Sequence, residues 1–307
     1  MRPAVVLLLV GSLASAWAFD GRRAFELIER QCAFGPRVPG TPAHTQTRHW
    51  LIEQMKGLGY TVVEQPFQAS LPLSGDRVEA GNLWATPEAQ GPARPAVLLS
   101  AHWDTRPWAD EDPSGADPPM AGANDGASGV AAVLELARAI RELPVRSHVA
   151  LALWDAEDAG RRGHEASWAL GARHAAANPP VWIDRVTLGI NLDLVAGAEQ
   201  QLRPGAHSRR AAPEATHSIW RIGRDLAPRM FLDEPGRPIT DDHLPWIQAG
   251  LPYVNLIGWP YPYWHTAADT PENCSPQALQ AVGEVVYQYL IRGRWRSEGR
   301  LLDPTGH

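Results

Sequence analysis

The stretch that decides the fold is His148-Val-Ala-Leu-Ala-Leu-Trp154, which runs directly into Asp155-Ala156-Glu157-Asp158. A short continuous apolar run of this kind is typical of a strand covered on both faces. Acids at the end of such a strand do not serve a core, because burying each one without a partner would cost roughly several kcal/mol. The cluster therefore indicates a metal site, a proton-transfer site, or both.

The rest of the chain repeats this pattern of strands separated by helices. Apolar runs predict three more buried strands over Ala96–Ala101, Val186–Leu194 and Tyr253–Gly258. Alternation of apolar and polar residues over Tyr60–Ala69 and Arg77–Ala85 predicts an antiparallel pair. Helical spacing predicts six helices, over Thr41–Gly59, Ala127–Arg141, Glu165–Ala177, Pro213–Leu226, Asp241–Gln248 and Pro276–Arg292. We therefore predict an α/β fold, a three-layer sandwich in which helices flank a central, twisted, mostly parallel mixed sheet.

Histidines and acids fall where the predicted strands end. Imidazole nitrogen and carboxylate oxygen are ligands that zinc takes, and sites in parallel sheets lie at the carboxyl ends of the strands. Five segments supply such groups in the order His, Asp, Glu-Asp, Asp, His, and they predict a zinc site with a general base beside it. The residues concerned are His102, Asp104, Asp125, Glu157, Asp158, Asp193 and His265.

Each of these residues also has an ordinary structural interpretation when it is taken alone. His102 and Asp104 would be a surface pair, Asp125 an N-cap before the next helix, Glu157 a salt-bridge partner and Asp193 a turn residue. His102 and Asp104 alternate on one extended segment, so Asp104 is also placed to orient the imidazole. The joint occurrence of all five segments favours the metal site over these separate explanations.

Composition limits the classes of function that are open to the chain. Its 307 residues are 44% hydrophobic and carry a net charge of -6. The sequence shows no basic block, so we do not expect nucleic acid as a partner. We find no internal repeat, so we expect one catalytic domain over residues 19–307. We also expect the protein to be a monomer. The acidic, proline-rich stretch Arg106–Met120 is interpreted as a solvated loop at the rim of the pocket.

The first residues resemble an export signal. A positive start at Arg2, an apolar core over Val5–Ala14 and the small residues of Ala16-Trp17-Ala18 predict a cleaved signal peptide over residues 1–18. We therefore expect a periplasmic or secreted protein without a membrane span. Cys32 and Cys274 would then form a disulfide or remain as two buried free thiols, and we favour the thiols.

Six motifs together carry a resemblance to a known superfamily. They are His102-Trp-Asp104, Gly122-Ala-Asn-Asp-Gly126, Trp154-Asp-Ala-Glu-Asp158, Leu192-Asp-Leu194, Asp241-Asp-His-Leu-Pro245 and Trp264-His-Thr266. The chain resembles the M28-type zinc aminopeptidase superfamily, and within it the animal-type glutaminyl-peptide cyclotransferases and their bacterial relatives. The last two motifs are the more specific to cyclotransferases. The resemblance implies peptide or protein substrates with an N-terminal glutamine.

The resemblance also implies roles for individual residues. Asp125, Asp158 and His265 would hold one zinc, and Glu157 would be the general acid and base. Asp193 and Asp241 would complete a hydrogen-bonded carboxylate chain with Glu157, and Asp155 and Asp104 would support the site from behind. Trp264 would line the substrate pocket, and Trp168 and Trp103 are further candidates for it. The chain departs from the vertebrate pattern at Asn255, where those enzymes have a histidine.

The proposed reaction is conversion of an N-terminal glutamine to pyroglutamate with loss of ammonia. The alternative is a co-catalytic aminopeptidase with two zinc ions. His102 and Asp193 would bind one ion, Asp158 and His265 the other, Asp125 would bridge them, and Glu157 would activate water. A third possibility is an inactive binding module, which would be expected to lack the base or a ligand. The sequence retains all of them.

Overall fold

The computed structural model describes residues 18–72, 75–88, 95–115, 118–295 and 301–302. Most of the predicted signal peptide, residues 1–17, lies outside this range, and so does the end of the chain after residue 302. Within the described chain, no helix combines the length and the apolar character that crossing a membrane would require.

A six-stranded sheet forms the centre of the molecule, in the order β1-β2-β4-β3-β5-β6. Strands β3, β4, β5 and β6 are parallel to one another, and β1 and β2 join antiparallel at one edge. The strands are β1 Tyr60–Ser70, β2 Arg77–Pro87, β3 Val97–His102, β4 Val149–Trp154, β5 Leu188–Asp193 and β6 Tyr253–Ile257, with a separate short pair, β7 Arg294–Trp295 and β8 Leu301–Leu302. The predicted mostly parallel mixed sheet is confirmed.

Helices cover both faces of this sheet, as predicted. They are α1 Gly21–Cys32, α2 Pro42–Gly57, α3 Ala127–Ala139, α4 Leu170–Ala177, α5 Ala206–Ala211, α6 Pro213–Leu226, α7 His243–Gln248 and α8 Pro276–Arg292. The side chains of the buried strands alternate between two cores: Leu151 and Leu153 of β4 belong to the core that includes α1, α2, α3, α6 and α8, whereas Ala152 and Trp154 belong to the core that includes α4 and α7. This alternation explains why the β4 sequence is apolar at every position.

One predicted helix is wrong in its extent. The segment Glu165–Ala177 contains a 3-10 turn over Glu165–Ser167 and then α4, separated by Ala169 with φ 55°. The indole of Trp168 packs against Gly160, where an added Cβ would lie 2.1 Å from the ring. This packing accompanies the turn of the chain between the 3-10 turn and α4. The periodicity of apolar residues in the sequence does not predict it.

The two cysteines are free thiols, as favoured, but only Cys274 is buried and Cys32 is half-buried. Helices α1 and α5 were not predicted. Helix α1 does carry local signals, because Asp20 caps it and its apolar residues Ala24, Leu27 and Ile28 follow helical spacing as it packs on α3 and α8, whereas α5 has only six residues.

Candidate active site

The carboxyl ends of the parallel strands bring the predicted site residues to one edge of the sheet. His102 at the end of β3 pairs in register with Trp154 at the end of β4. Asp193 at the end of β5 pairs with Ile257 of β6. The loops that follow these strands therefore lie side by side, and they carry Asp104, Glu157 and Asp158.

One set of donors is formed by Asp125, Asp158 and His265, whose ligand atoms all lie within 4.8 Å of one another. Nε2 of His265 is 3.0 Å from Oδ1 of Asp158 and 3.8 Å from Oδ2 of Asp125. All three side chains are buried, and Oδ2 of both aspartates has no hydrogen-bond partner among the described residues. Zinc ligands sit about 2.0–2.3 Å from the ion, so these donors fit a single metal ion.

A second set is formed by His102, Asp125 and Asp193. Nε2 of His102 is 3.1 Å from Oδ1 of Asp125 and 3.3 Å from Oδ1 of Asp193. Burial alone would lower the pKa of His102, but its contacts with Asp104, Asp125 and Asp193 raise that pKa well above its usual range. Asp125 belongs to both sets, so the described residues offer donors for one ion or for two.

Asp125 does not cap the helix that follows it. The N-cap of α3 is Gly126, with φ 96°, and a Cβ at this position would lie 2.5 Å from the backbone oxygen of Asp104. A glycine therefore lets the loop of Asp125 approach the loop after β3, and the carboxylate of Asp125 turns to the two histidines. The capping interpretation of Asp125 is wrong.

Glu157 lies beside Asp241 and Asp242, and the three carboxyl groups have oxygens within 4.8 Å of one another. Burial, and then the charge of Asp242, raise the pKa of Glu157 well above its usual range. Both oxygens of Asp242 are buried without a hydrogen-bond partner among the described residues, and burial raises its pKa likewise. Carboxyl groups this close share protons instead of ionising together. Such a group suits proton transfer.

Asp241 is held by two amides from neighbouring strands. Its Oδ1 accepts a hydrogen bond from Nδ2 of Asn191 at 3.0 Å, and its Oδ2 accepts one from Nδ2 of Asn255 at 2.7 Å. Asn255, where the sequence is expected to depart from the vertebrate pattern, therefore bonds directly to Asp241. The hydrogen-bonded chain from Glu157 through Asp193 stays a prediction.

Backbone strain is concentrated at this edge of the sheet. Four non-glycine residues of the described chain have positive φ, and three of them are Ala156 (53°), Leu194 (50°) and His265 (54°). Each is a site residue or the neighbour of one. Such conformations cost on the order of 1–3 kcal/mol each and persist only where the surroundings impose them. Alanine, leucine and histidine do not predict a positive φ from the sequence.

Two buried aspartates fix the loops through their backbone. Asp104 accepts the N–H groups of Glu157 at 3.0 Å and Asp158 at 3.1 Å. Asp269 accepts the N–H groups of Asn124 at 2.9 Å and Asp125 at 3.0 Å. Asp104 also lies 3.5 Å from Nδ1 of His102, but its shorter contacts are to the loop of Glu157. Asp269 was not singled out from the sequence, because its role appears only in the folded chain.

Asp155 points away from the donor sets. It accepts hydrogen bonds from the backbone N–H of Gly81 at 2.6 Å and of Ala156 at 2.8 Å, and its carboxylate lies 2.9 Å from Nε2 of His44. The indole of Trp103 stacks on His44 with ring centroids 4.3 Å apart. Trp103 is fully buried in the core. Its assignment to the substrate pocket is therefore wrong, because alternation along the strand turns it away from His102 and Asp104.

The stretch after β3 is not a solvated loop at its start. The guanidinium of Arg106 is fully buried and donates to both carboxylate oxygens of Asp110 at 2.6 Å. It also donates to the backbone oxygen of Asp158 at 2.9 Å and lies 4.9 Å over the ring of Trp168. Asp110 in turn lies 3.5 Å from Nδ1 of His265. Arg106 thus contacts the loop of Asp158, the ring of Trp168 and the carboxylate of Asp110, which itself lies against His265.

The donors open into a cavity of about 380 Å³ with aromatic walls. Trp264 stacks on His265 with centroids 3.6 Å apart, and Trp259 meets Trp264 edge-on at 5.0 Å. Trp168 also stacks on His265, with centroids 5.9 Å apart. Trp264 and Trp168 therefore lie where the substrate pocket was expected. Glu157 also lines the cavity and is 8% exposed, so a bound molecule can reach it.

Comparisons with known proteins show similarity to one peptidase family and to glutaminyl cyclases. The model of peptidase family M28 matches residues 82–290. A mouse glutaminyl-peptide cyclotransferase-like protein is 29% identical over 282 residues, which cover 83% of this chain and 71% of that protein.

Two solved structures are similar to the chain over almost their whole length. The glutaminyl cyclase of Tannerella forsythia is 33% identical, with a TM-score of 0.84, over 90% of this chain and 99% of that one. A zinc-dependent exopeptidase from Parabacteroides distasonis is 34% identical, with a TM-score of 0.83, over 89% and 98%. These neighbours have the zinc-exopeptidase type of fold that the sheet and helices display.

Proposed function

Because the chain belongs to peptidase family M28, we propose that it is a zinc-dependent glutaminyl-peptide cyclotransferase. Its reaction converts the N-terminal glutamine of a peptide or protein to pyroglutamate and releases ammonia. The relatives and solved neighbours named as glutaminyl cyclases support this activity. The observation in the structure that carries it is the position of Glu157, which lies beside the metal donors and opens into the aromatic cavity.

The proposed metal ligands are Asp125, Asp158 and His265. Their unpartnered, buried carboxylate oxygens are the observation that fits a cation there. When bound, a zinc ion would supply Lewis acidity toward the amide carbonyl of the glutamine side chain. We assign one zinc to the enzyme, and His102 would then remain an ion-pair partner of Asp193.

Glu157 moves the proton in this proposal. The α-amine nitrogen of the substrate forms a bond to the side-chain amide carbon, and Glu157 accepts the proton that this nitrogen gives up. The same carboxyl group then returns the proton to the amide nitrogen, the carbon–nitrogen bond breaks and ammonia leaves. Asp241 and Asp242 lie within reach of Glu157 and keep its proton affinity high.

The aromatic walls hold the substrate in its bent form. Ring closure is intramolecular, so fixing the amine beside the amide carbon supplies much of the rate. Trp264 is itself held between His265 and Trp259, and Arg162 lies 5.1 Å over its ring. The indole of Trp264 is half-buried and lines the cavity, so its exposed apolar atoms can contact the methylene groups of glutamine.

A two-zinc aminopeptidase is the second candidate, and one observation favours it. The donors of His102, Asp125 and Asp193 also lie within 4.8 Å of one another and would accept a second ion. In that enzyme Asp125 would bridge the ions and Glu157 would activate a water molecule. The chemistry of the product separates the two candidates.

We also propose that the protein is exported to the periplasm or secreted. The charged start at Arg2, the apolar run and the small residues before Phe19 support this proposal. Expression of the full chain with a check of the mature N-terminus in the exported fraction tests it. A protein that stays in the cytoplasm and still begins at Met1 would contradict this proposal.

Incubation of the purified protein with a Gln-initiated peptide, together with counting of zinc per chain, tests the proposed activity. We expect ammonia, a pyroglutamyl peptide and about one zinc per chain. Aminoacyl chromogenic substrates serve as the comparison and should not be cleaved. Release of free amino acids by a protein with two zinc ions would contradict the proposal.

A further inference from the structure

A second cavity of about 400 Å³ lies directly beside the active-site cavity. The two share four lining residues, which are Arg237, Ile239, Ile257 and Trp259. The proposed chemistry concerns only the first residue of the substrate, and of the residues that line the second cavity it involves only Asn255, which bonds to Asp241, and Trp259, which contacts Trp264. A peptide whose glutamine occupies the first cavity must continue outward, and the shared wall offers one path.

The second cavity is basic where the first is acidic. Arg237 is exposed and has no ion-pair partner among the described residues, and it lines both cavities. Arg203 also lines the second cavity; it donates to Oε1 of Gln201 at 2.9 Å, and its ion-pair partner among the described residues is the exposed Glu234, at 3.2 Å. The segment 201–240 that builds this side carries seven arginines against four carboxylates, in a chain whose net charge is -6.

A buried polar group lines the same cavity. His243 is 2% exposed, and its Nδ1 has no hydrogen-bond partner among the described residues. Burial lowers its pKa to about 4, so the ring is neutral at pH 7 and offers a hydrogen bond without a charge. His243 belongs to the Asp241-Asp-His run, of which the proposed chemistry uses only the carboxylates.

We propose that this second cavity is a subsite for a carboxylate that the peptide carries in the residues directly after its N-terminal glutamine. Arg237 and Arg203 hold the carboxylate, and His243 supplies a hydrogen bond within the cavity. The inference rests on the proposed cyclotransferase activity and narrows its substrates to peptides with an early acidic residue. Such a peptide matches the site at both ends, with its amine near Glu157 and Asp241 and its carboxylate near the arginines.

A panel of blocked peptides tests the subsite. The acidic members are Gln-Glu-Ala-amide and Gln-Ala-Glu-amide, the neutral ones Gln-Gln-Ala-amide and Gln-Ala-Gln-amide, and the basic one Gln-Lys-Ala-amide. We expect kcat/KM to be roughly five- to twentyfold higher for an acidic peptide than for its neutral match, mostly through KM. The advantage should shrink as salt is raised. Gln-Ala-Ala as free acid and as amide shows whether a terminal carboxylate serves as well as a side chain.

Variants connect the preference to the cavity. Arg237→Gln and Arg203→Gln should each reduce the acidic preference, and Arg237→Glu should shift it toward the lysine peptide. Arg229→Gln removes an exposed arginine that lines neither cavity and should keep the preference. The ratio between two peptides does not depend on the folded fraction of a preparation, so a destabilised variant still gives a valid answer.

The outcomes separate the subsite from the activity. Equal cyclisation of acidic, neutral and basic peptides overturns the subsite and leaves the cyclotransferase intact. A preference that survives both Arg237→Gln and Arg203→Gln overturns the subsite as well. Failure to cyclise any member of the panel overturns both proposals.

Discussion

Replacement of Asp104 by asparagine tests how the site is held in place. The carboxylate of Asp104 is fully buried, and its two oxygens accept the consecutive N–H groups of Glu157 and Asp158. Asparagine keeps the size but offers one oxygen and one NH2 group, so one backbone N–H loses its acceptor and faces a donor. Loss of a hydrogen bond to a buried charged group costs about 1.5–3 kcal/mol, and weakening of the other adds up to ~1 kcal/mol.

We therefore expect Asp104→Asn to reduce the free energy of unfolding of the metal-free protein by about 3 kcal/mol. Because Asp158 is a proposed zinc ligand, the same change should weaken zinc binding about 10–100-fold. Urea unfolding measures the first effect, and competition with a chelator of known affinity measures the second.

Asp20→Asn is the matched control. Asp20 also accepts two backbone N–H groups, those of Arg22 and Arg23, but these are solvent-exposed hydrogen bonds of the half-buried N-cap of α1. Asparagine is as good an N-cap as aspartate, so this change should cost less than ~1 kcal/mol and leave zinc affinity unchanged. If Asp104→Asn binds zinc within about twofold of the wild type and is as stable, the loop-holding role is refuted.

Three further changes follow from the site and from the second cavity. Glu157→Gln should lower kcat by about 10²- to 10⁴-fold, because the proton carrier is lost, while the zinc content stays equal to that of the wild type; an active variant would refute the assigned role. Trp264→Ala should raise KM for Gln peptides through loss of the apolar wall, and an unchanged KM would place the substrate elsewhere. His243 has a folded pKa of about 4 against 6.5 for the free group, so the unfolded chain takes up the proton first as pH falls and stability is lost between pH 6.5 and 4. The wild type should lose about 3 kcal/mol more than His243→Gln between pH 7 and 4 in urea titrations, and equal losses would contradict the burial of a neutral ring.

The sequence predicts most of the scaffold because its strands carry strong local signals. The run over β4 is apolar on both faces, and the helices α2, α6 and α8 begin with proline near their first turn. Helix α1 was missed although Asp20 and the spacing of Ala24, Leu27 and Ile28 are local signals for it. The predicted helix over Glu165–Ala177 is divided where the indole of Trp168 packs on Gly160. This contact exists only in the folded chain, and the periodicity of apolar residues does not contain it.

The sequence predicts the metal-donor residues of the site, but it does not predict the residues that hold their loops in place. His102, Asp125, Asp158 and His265 come together because strand ends meet at one edge of a parallel sheet. The supports are side chains whose partners lie far away in sequence: Asp269 holds the loop of Asp125, and Arg106 reaches across to the loop of Asp158. Asp242 shows the same limit, since only the fold places it against Glu157.

The most direct test of the account is the fate of a Gln-initiated peptide in water labelled with heavy oxygen. Cyclisation uses the substrate's own amine as the nucleophile, so we predict a pyroglutamyl peptide that carries no label, together with one ammonia for each peptide consumed. A peptidase would instead release free glutamine whose new carboxylate carries the label. Labelled glutamine as the main product would contradict the assignment of this chain as a glutaminyl-peptide cyclotransferase.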